Sequence, residues 1–319
     1  MGLILPGEFL RNQDALVEPE GEPGMRKTAI PIIVLLVLQA LWLETSRAGD
    51  PGRPEFNEEF AKQEEIYHSR GEQVPEGYVT GRSLLSYTLI LSSEFDRALA
   101  NLGSRDRWLD IGAGAGRAIL DYYTSRYDLM HVEGRERRGK KASAVAISIE
   151  DRRTPAWHES AASLGAGKIQ YFFGRRLREY SSEELGRFQV ITDVLGGFSY
   201  SQNLSLFMEK VLAFLELGGS VFTLLQDVQS EKGTSPPYYA GSPFLTEIVN
   251  SSGSEVRVCS WLKSITCVEV ACESKESLQP PLETYRIRKV CNDVVVPVLV
   301  PRHFQAGTPP ERGFQLRNK

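Results

Sequence analysis

One segment decides the fold of this chain: Arg107-Trp-Leu-Asp-Ile-Gly-Ala-Gly-Ala-Gly-Arg-Ala118. A short apolar run precedes the glycines Gly112, Gly114 and Gly116, and an apolar, helix-compatible stretch at residues 118–123 follows them. This order predicts a strand, a tight glycine turn and a helix. Glycine permits positive φ and lets a ligand approach the main chain closely. The turn also presents backbone N–H groups at a helix start, where acceptors and negative charge are favoured. We therefore expect a nucleotide-like cofactor at this loop.

The spacing of the glycines distinguishes between two kinds of cofactor. The dinucleotide fingerprint is G-x-G-x-x-G, whereas this loop reads G-x-G-x-G, with Asp110 two residues before Gly112. The arrangement resembles motif I of the class I S-adenosylmethionine (SAM)-dependent methyltransferases, and it disfavours a Rossmann oxidoreductase. The resemblance implies that Asp110 and the loop, including Ala113, Gly114 and Gly116, hold the amino-acid part of SAM. A loop cap is the alternative role for Asp110.

Alternating strands and helices extend this pattern over most of residues 80–270. Strands are predicted at residues 108–111, 144–149, 168–173, 188–193 and 220–225, and helices at 117–126, 154–164 and 204–217. Such alternation predicts a parallel sheet with right-handed crossovers. Residues 255–270 and 284–290 are predicted as strands of a mostly antiparallel finish. The predicted class is α/β: a Rossmann-like, doubly wound, mostly parallel sheet with a helical cap at residues 80–102.

A second segment strengthens the resemblance. Residues 211–222 read as a helix, then Gly218-Gly219, then a strand, which is similar to the segment before the fifth strand in class I methyltransferases. In that family the helical segment ahead of the first strand often caps the cofactor pocket. Tyr78 and Arg82 are therefore candidate cap residues here, with plain packing as the alternative.

The resemblance also implies an acidic residue at the end of the second strand. A carboxylate there suits the two ribose hydroxyls of SAM, because both of its oxygens accept hydrogen bonds. Glu150 is favoured, since short connections follow it. Asp151 takes the role if the register slips by one residue. Glu133 takes it if residues 129–132 form the second strand instead.

The third strand ends differently from many relatives. Those relatives carry an acid there that contacts the adenine amino group, but this chain has Gly174 followed by Arg175. Arg175, Arg176 and Arg178 are either solvated surface charges or a site for an anionic substrate, because arginine pairs well with carboxylates and phosphates.

The loop after the fourth strand is the predicted border between methyl donor and acceptor. Ligands of open α/β sheets bind beyond the carboxyl ends of the strands, which places Asp193 and residues 195–200 there. The family's Asn/Asp-Pro-Pro-Tyr/Phe signature is absent, so nitrogen methylation of that kind is disfavoured. Asp193 is a weak candidate for a general base, and a loop cap is the alternative. Methyl transfer can also proceed by positioning alone.

The chain's composition fits a globular protein without a basic footprint. It has 319 residues, a net charge of −4 and 41% hydrophobic residues, which suits one large or two small domains. A pI near 5.8 predicts no nucleic-acid partner, so a small-molecule acceptor is expected. The histidines have no metal-ligand spacing, and no metal is predicted; they are His68, His131, His158 and His303.

The N-terminal part has the pattern of an export signal. Met25-Arg26-Lys27 precedes an apolar run at residues 29–43, with small residues at Ser46 and Ala48. This predicts a secretory signal peptide. One alternative is a membrane anchor through residues 28–43, although the apolar run is shorter than the ~20 apolar residues that a membrane span needs. The other alternative is a buried helix. The flanking charges place the globular part outside the cytoplasm, in the periplasm or extracellular space. The globular part is expected to be cytoplasmic if the apolar segment is not a signal.

The cysteines are consistent with export. All of them fall in the last third of the chain, at Cys259, Cys267, Cys272 and Cys291. One or two disulfides are expected in an exported chain, with buried free thiols as the alternative.

The predicted organisation follows from these patterns. Residues 1–24 are unstructured or not translated, 25–48 a signal or anchor, 49–79 a linker and helix, 80–275 the methyltransferase domain, and 276–319 a C-terminal strand and tail. The predicted function is methyl transfer from SAM to a small-molecule acceptor. The alternative is an exported, non-catalytic binding module of the same fold, because SAM is a cytoplasmic metabolite and the adenine-contacting acid is missing.

Overall fold

A central sheet of seven strands organises the molecule, whose structure is a computed structural model. The structure describes residues 81–124, 140–226, 244–276, 282–305 and 310–317. The predicted signal or anchor at residues 25–48 lies outside these ranges, as do Tyr78, Glu133, His68 and His131. None of the helices within the described ranges combines the length and hydropathy that a bilayer span requires.

The main sheet is built from both parallel and antiparallel strands. They are β1 (Arg107–Ile111), β2 (Ser143–Ile147), β3 (Ile169–Phe172), β4 (Phe188–Asp193), β5 (Leu215–Leu225), β7 (Val268–Lys275) and β8 (Leu282–Lys289), in the order β3-β2-β1-β4-β5-β8-β7. Strands β1 to β5 are mutually parallel, and β8 runs antiparallel to both β5 and β7. The order 3-2-1-4-5 is that of a doubly wound Rossmann-type sheet, so the predicted α/β Rossmann-like sheet is confirmed. The N-terminal signal or anchor segment stays a prediction.

Helices cover both faces of this sheet. They are α1 (Leu84–Ile90), α2 (Glu94–Ala100), α3 (Arg117–Tyr123), α4 (Pro155–Leu164), α5 (Ser182–Leu185), α6 (Gly197–Tyr200), α7 (Leu204–Phe214) and α8 (Val258–Lys263). The side chain of Thr154 accepts a hydrogen bond from the Trp157 N–H, and Pro155 opens α4. This cap confirms the predicted helix start, because both residue types suit those positions.

The two faces of β1 belong to two separate cores. Trp108 packs with residues of α1 to α4, whereas Leu109 and Ile111 pack with residues of α7 and α8. Alternate residues of a strand point to opposite faces, so Asp110 lies on the same side as Trp108. The buried Asp110 is thereby brought towards α1.

The predicted helix at residues 204–217 ends earlier than expected. It stops at Phe214, and Gly218 and Gly219 lie inside β5, where the pairing register with β4 shifts. Gly218 has a φ of 81°, which suits a bulge in a strand. Lys289 donates to the carbonyls of Leu212 and Leu215 at 3.0 and 3.1 Å, and a cation is favoured at such a helix end.

The prediction of strand throughout residues 255–270 was wrong. Residues 258–263 form α8, and β7 begins only at Val268. The apolar residues Val258, Trp261, Leu262 and Ile265 recur at helical spacing. Trp261 and Leu262 are fully buried. The helical period, which places these side chains on one face, explains the difference.

The sheet continues past residue 275, the predicted end of the domain. β8 lies between β5 and β7. A second sheet is formed by β6 (Leu245–Val249), β9 (Leu299–Gln305) and β10 (Glu311–Leu316), in the order β6-β10-β9. The C-terminal segment is therefore part of the folded domain.

All four cysteines are paired. Cys259–Cys272 joins α8 to β7, and Cys267–Cys291 joins the residue before β7 to the segment after β8. The alternative of free thiols was wrong. Within the described ranges, Cys259, Cys272 and Glu283 offer ligand atoms close enough for a metal ion, but both sulfurs are used in the disulfide.

Candidate functional site

A cleft opens beyond the carboxyl ends of the parallel strands. Its lining residues are Arg82, Ile111, Gly112, Gly114, Ile147, Ser148, Ile149, Glu150, Arg152, Arg175, Arg176, Leu177, Arg178, Leu195, Gly196, Gly197, Tyr200, Ser201, Asn203, Leu206, Phe207 and Lys210. The strand order reverses between β1 and β4, and ligands of such sheets bind at this switch point. The structure therefore brings the glycine loop, the end of β2, the arginines after β3 and the loop after β4 to one place.

The glycine loop has the backbone conformation that its sequence requires. Gly112, Gly114 and Gly116 have φ values of 70°, 55° and 70°, which side chains disfavour. A Cβ on Gly112 would lie 2.7 Å from the Cα of Gly196, and a Cβ on Gly116 would overlap the ring of Trp157. At Gly112 and Gly116 both conformation and space exclude a side chain, and at Gly114 the positive φ disfavours one.

Contacts from β2 and β3 hold the loop in position. The N–H groups of Gly112 and Ala113 donate to the carbonyl of Ile147 at 2.9 and 3.1 Å. The Tyr171 hydroxyl donates to the carbonyl of Gly114 at 2.5 Å. Gly112 and Gly114 face the cleft, so the loop offers it a fixed, close-approach surface.

Asp110 lies beneath the cleft in a buried hydrogen-bond network. It is fully buried and accepts from Thr192 Oγ1 at 2.7 Å and from the Tyr87 hydroxyl at 3.1 Å. Burial raises the pKa of Asp110 to about 7, although these hydrogen bonds act in the opposite direction. The network ties α1 to β1 and β4, and it leaves contact of Asp110 with a cofactor as a prediction.

Asp193 has its carboxylate directed at the main chain of its own loop. Its oxygens accept from the N–H groups of Gly196 and Phe198, each at 3.2 Å. Burial raises the pKa of Asp193 to about 7. This geometry fits the loop-cap alternative, in which Asp193 shapes the loop that borders the cleft.

The two acidic residues after β2 lie in different surroundings. Glu150 lines the cleft and pairs with Arg152 at 2.6 Å. Asp151 pairs with Arg153 at 2.7 Å and is absent from the lining. The hydrogen bond from Arg153 lowers the pKa of Asp151. Of these two candidates, Glu150 is the one placed to meet a ligand.

A buried arginine from the far end of the chain supports the loop after β4. Arg312, in β10, is fully buried and donates to the carbonyls of Phe198 and Ser201, each at 2.7 Å. The same loop contains Leu195, which has a positive φ of 54°, a conformation costing about 1–3 kcal/mol. Arg312 and Asp193 thus hold a strained loop from two sides.

Sequence reasoning missed Tyr87, Thr192, Arg152, Lys210 and Arg312 as residues in or behind the site. Tyr87 carried a weak signal, since it lies in the predicted cap between apolar helix positions. For Arg312 the local sequence held no signal, because its partners are more than 100 residues away.

Comparison with known proteins adds a fold-level similarity. No family model and no curated protein matches the chain. Similar structures include the N-methyltransferase NodS from Bradyrhizobium japonicum WM9 with S-adenosyl-L-homocysteine (SAH), 11% identical over 72% of this chain and 98% of that one, with a TM-score of 0.39. An O-methyltransferase family protein from Burkholderia thailandensis is 11% identical over 75% and 70%, with a TM-score of 0.39.

A third similar structure is that of an enzyme named for an RNA substrate. It is an rRNA methylase from Streptococcus thermophilus, 12% identical over 61% of this chain and 93% of that one, with a TM-score of 0.36. The strand order and the glycine loop at the switch point are those of a Rossmann-like α/β fold. Membership of the class I SAM-dependent methyltransferases stays a prediction.

Proposed function

We propose that the protein is a SAM-dependent methyltransferase whose donor binds in the cleft between the glycine loop and Glu150. One observation carries the proposal: Gly112, Gly114 and Glu150 line the same cleft at the carboxyl ends of the parallel strands. When bound, SAM supplies an electrophilic methyl group, whose carbon bonds to an acceptor O, N or S atom while the C–S bond breaks and its electron pair stays on sulfur.

The residues present fit this cofactor. Gly112 and Gly114 line the cleft, and because glycine has no side chain, their main chain can be approached closely by a ligand. Glu150 has a half-exposed carboxylate, with 49% of the side chain accessible. Its two oxygens can accept from a pair of neighbouring hydroxyls, once Arg152 moves or shares the group.

The remaining residues of the cleft position and enclose the acceptor. Leu206 and Phe207 supply an apolar wall, and Arg82 donates to the carbonyl of Val194 at 3.3 Å, which fastens the segment before α1 to the loop after β4. Asp193 and Arg312 hold that loop in place. Because Asp193 is occupied by backbone N–H groups, catalysis rests on positioning, which alone supplies about 7–11 kcal/mol in favourable cases.

Isothermal titration calorimetry with SAH tests the proposal. Asp151, which does not line the cleft, provides a matched control for Glu150. We expect Glu150→Gln to weaken SAH binding about tenfold or more, because hydrogen bonds to charged groups contribute about 1.5–3 kcal/mol. Asp151→Asn should stay within about twofold of the unmodified protein, well under the tenfold that 1.4 kcal/mol represents. Absence of SAH binding at millimolar concentration would overturn the assignment.

We also propose that the protein is exported and that the domain works in an oxidising compartment. Support comes from the pairing of all four cysteines, because disulfides persist mainly in exported proteins. A fusion of residues 25–60 to a reporter active only outside the cytoplasm should be active. A reporter that is active only inside the cell would contradict this proposal and leave the SAM assignment intact.

The non-catalytic binding module remains the second candidate function. It is favoured by the missing acid after β3, where Gly174 and Arg175 stand, and by the occupied carboxylate of Asp193. Screening cell extracts with methyl-labelled SAM separates the candidates. SAM binding with no labelled product from any extract supports the module, and a labelled product supports the enzyme.

A further inference from the structure

The walls of the cleft are strongly basic, although the chain as a whole carries a net charge of −4. Among the described residues that line it, Glu150 is the only carboxylate. The cationic lining residues are Arg82, Arg152, Arg175, Arg176, Arg178 and Lys210. A cleft lined by charges of one sign focuses its field and concentrates ligands of the opposite sign.

Some of these charges already face an acidic residue. Arg152 pairs with Glu150, and Arg175 pairs with Glu184. Two others have carboxylates nearby that do not line the cleft, since Asp110 interacts electrostatically with Arg82 and Glu183 with Lys210. Arg82 also donates to a backbone carbonyl, and the ammonium group of Lys210 lies 5.2 Å from the centre of the Phe214 ring. The surface of the cleft itself therefore carries more positive than negative charge.

The charges are also unevenly distributed around the cleft. The carboxylate comes from the end of β2, next to the glycine loop. The basic residues other than Arg152 come from the segment before α1, from residues 175–178 and from α7. The helix α7 packs against the 3₁₀ turn Leu177–Glu179, which puts Lys210 and Arg178 on adjoining elements.

The basic wall suits a negatively charged ligand better than it suits the methyl donor. SAM carries positive sulfonium and ammonium groups as well as one carboxylate, whereas an acceptor whose charge is negative gains from the cationic side chains as a whole. We propose that the methyl acceptor is anionic, and that Arg82, Arg178 and Lys210 hold its carboxylate or phosphate group. Arginine forks onto such groups in a bidentate manner, and lysine acts as a point charge.

This inference rests on the proposed function, and its test separates the two. The full-length protein, with and without SAH, is titrated calorimetrically with sodium pyrophosphate in one arm and with tricarballylate, a tricarboxylate, in the other. We expect saturable binding in at least one arm. The binding should be weaker at 0.2 M than at 0.05 M salt, because salt screens charges over a Debye length of roughly 10 Å at 0.1 M. The arm that binds more tightly identifies phosphate or carboxylate.

Lys210→Gln should weaken anion binding about tenfold, a loss of 1.4 kcal/mol. Arg82→Gln is a second variant with the same expected loss. Arg302→Gln, in β9 beside Glu247 and outside the cleft lining, is the control and should leave binding unchanged.

The outcomes distinguish the two proposals. SAH binding without saturable anion binding in either arm overturns the anionic acceptor and leaves the methyltransferase assignment standing. Equal losses in Lys210→Gln and Arg302→Gln also overturn it, because the effect is then one of overall charge. Anion binding without SAH binding contradicts the proposed function while the basic cleft remains an anion site.

Discussion

Replacing Asp110 by asparagine removes a buried ionisable group and keeps its shape. Asp110 is fully buried, and burial raises its pKa to about 7 from an ordinary value of 3.8. An acid with a raised folded-state pKa stabilises the fold fully only below its unfolded pKa, and that contribution is lost as the pH rises through 7. Protein stability should therefore fall between pH 4 and pH 7 on account of this residue.

The size of the effect follows from the two pKa values. Each pKa unit of difference corresponds to 1.36 kcal/mol, and between pH 5 and pH 7 the linkage relation gives a loss of about 2 kcal/mol for this group. Above pH 7 the loss levels off, because both states are then ionised. The asparagine side chain of the variant does not titrate, so Asp110→Asn should gain about 2 kcal/mol relative to the unmodified protein over this interval.

Urea unfolding followed by circular dichroism at pH 5, 6, 7 and 8 measures this difference. Asp293→Asn is the control, because it makes the same substitution at an exposed position. If the stability difference between Asp110→Asn and the unmodified protein is the same at pH 5 and pH 7, then Asp110 does not carry a raised pKa and the buried network is misassigned.

Three further changes test contacts that stabilise the fold. Gly116→Ala should destabilise the fold by about 3 kcal/mol in a urea titration, because positive φ and overlap with Trp157 add their costs; wild-type stability would contradict the loop geometry. Arg312→Lys should lower stability by about 2–3 kcal/mol, since carbonyl contacts of a buried charge are lost; an unchanged midpoint of urea unfolding would show that these contacts do not stabilise the loop after β4. Removing the Cys267–Cys291 disulfide, which spans 24 residues, by double serine substitution should lower stability by about 3 kcal/mol; equal melting of both proteins would contradict this.

The sequence predicted the parallel part of the sheet well, because its signals are local. The buried strands of β1, β2 and β4 are short apolar runs bounded by turn residues, and such runs indicate parallel strands. The glycine loop was readable for the same reason, since positive φ restricts the residue type. The disulfide pairing was not readable, because even counts of cysteine do not specify connectivity.

Other features depend on contacts that local sequence does not encode. The role of Asp193 stayed open between base and cap, because the answer depends on where the N–H groups of Gly196 and Phe198 point. The helix α8 was missed because a run of mixed apolar residues was assigned the strand period. The hydrogen bonds from Arg312 to the carbonyls of Phe198 and Ser201 join segments more than 100 residues apart.

A crystal structure of the protein with SAH would show directly whether the glycine loop holds the methyl donor. We expect SAH to lie in the cleft against Gly112 and Gly114, with its ribose hydroxyls about 2.5–3.0 Å from the carboxylate of Glu150. Binding of SAH at another surface, or no bound SAH at millimolar concentration, would contradict the claim that this glycine loop holds the methyl donor.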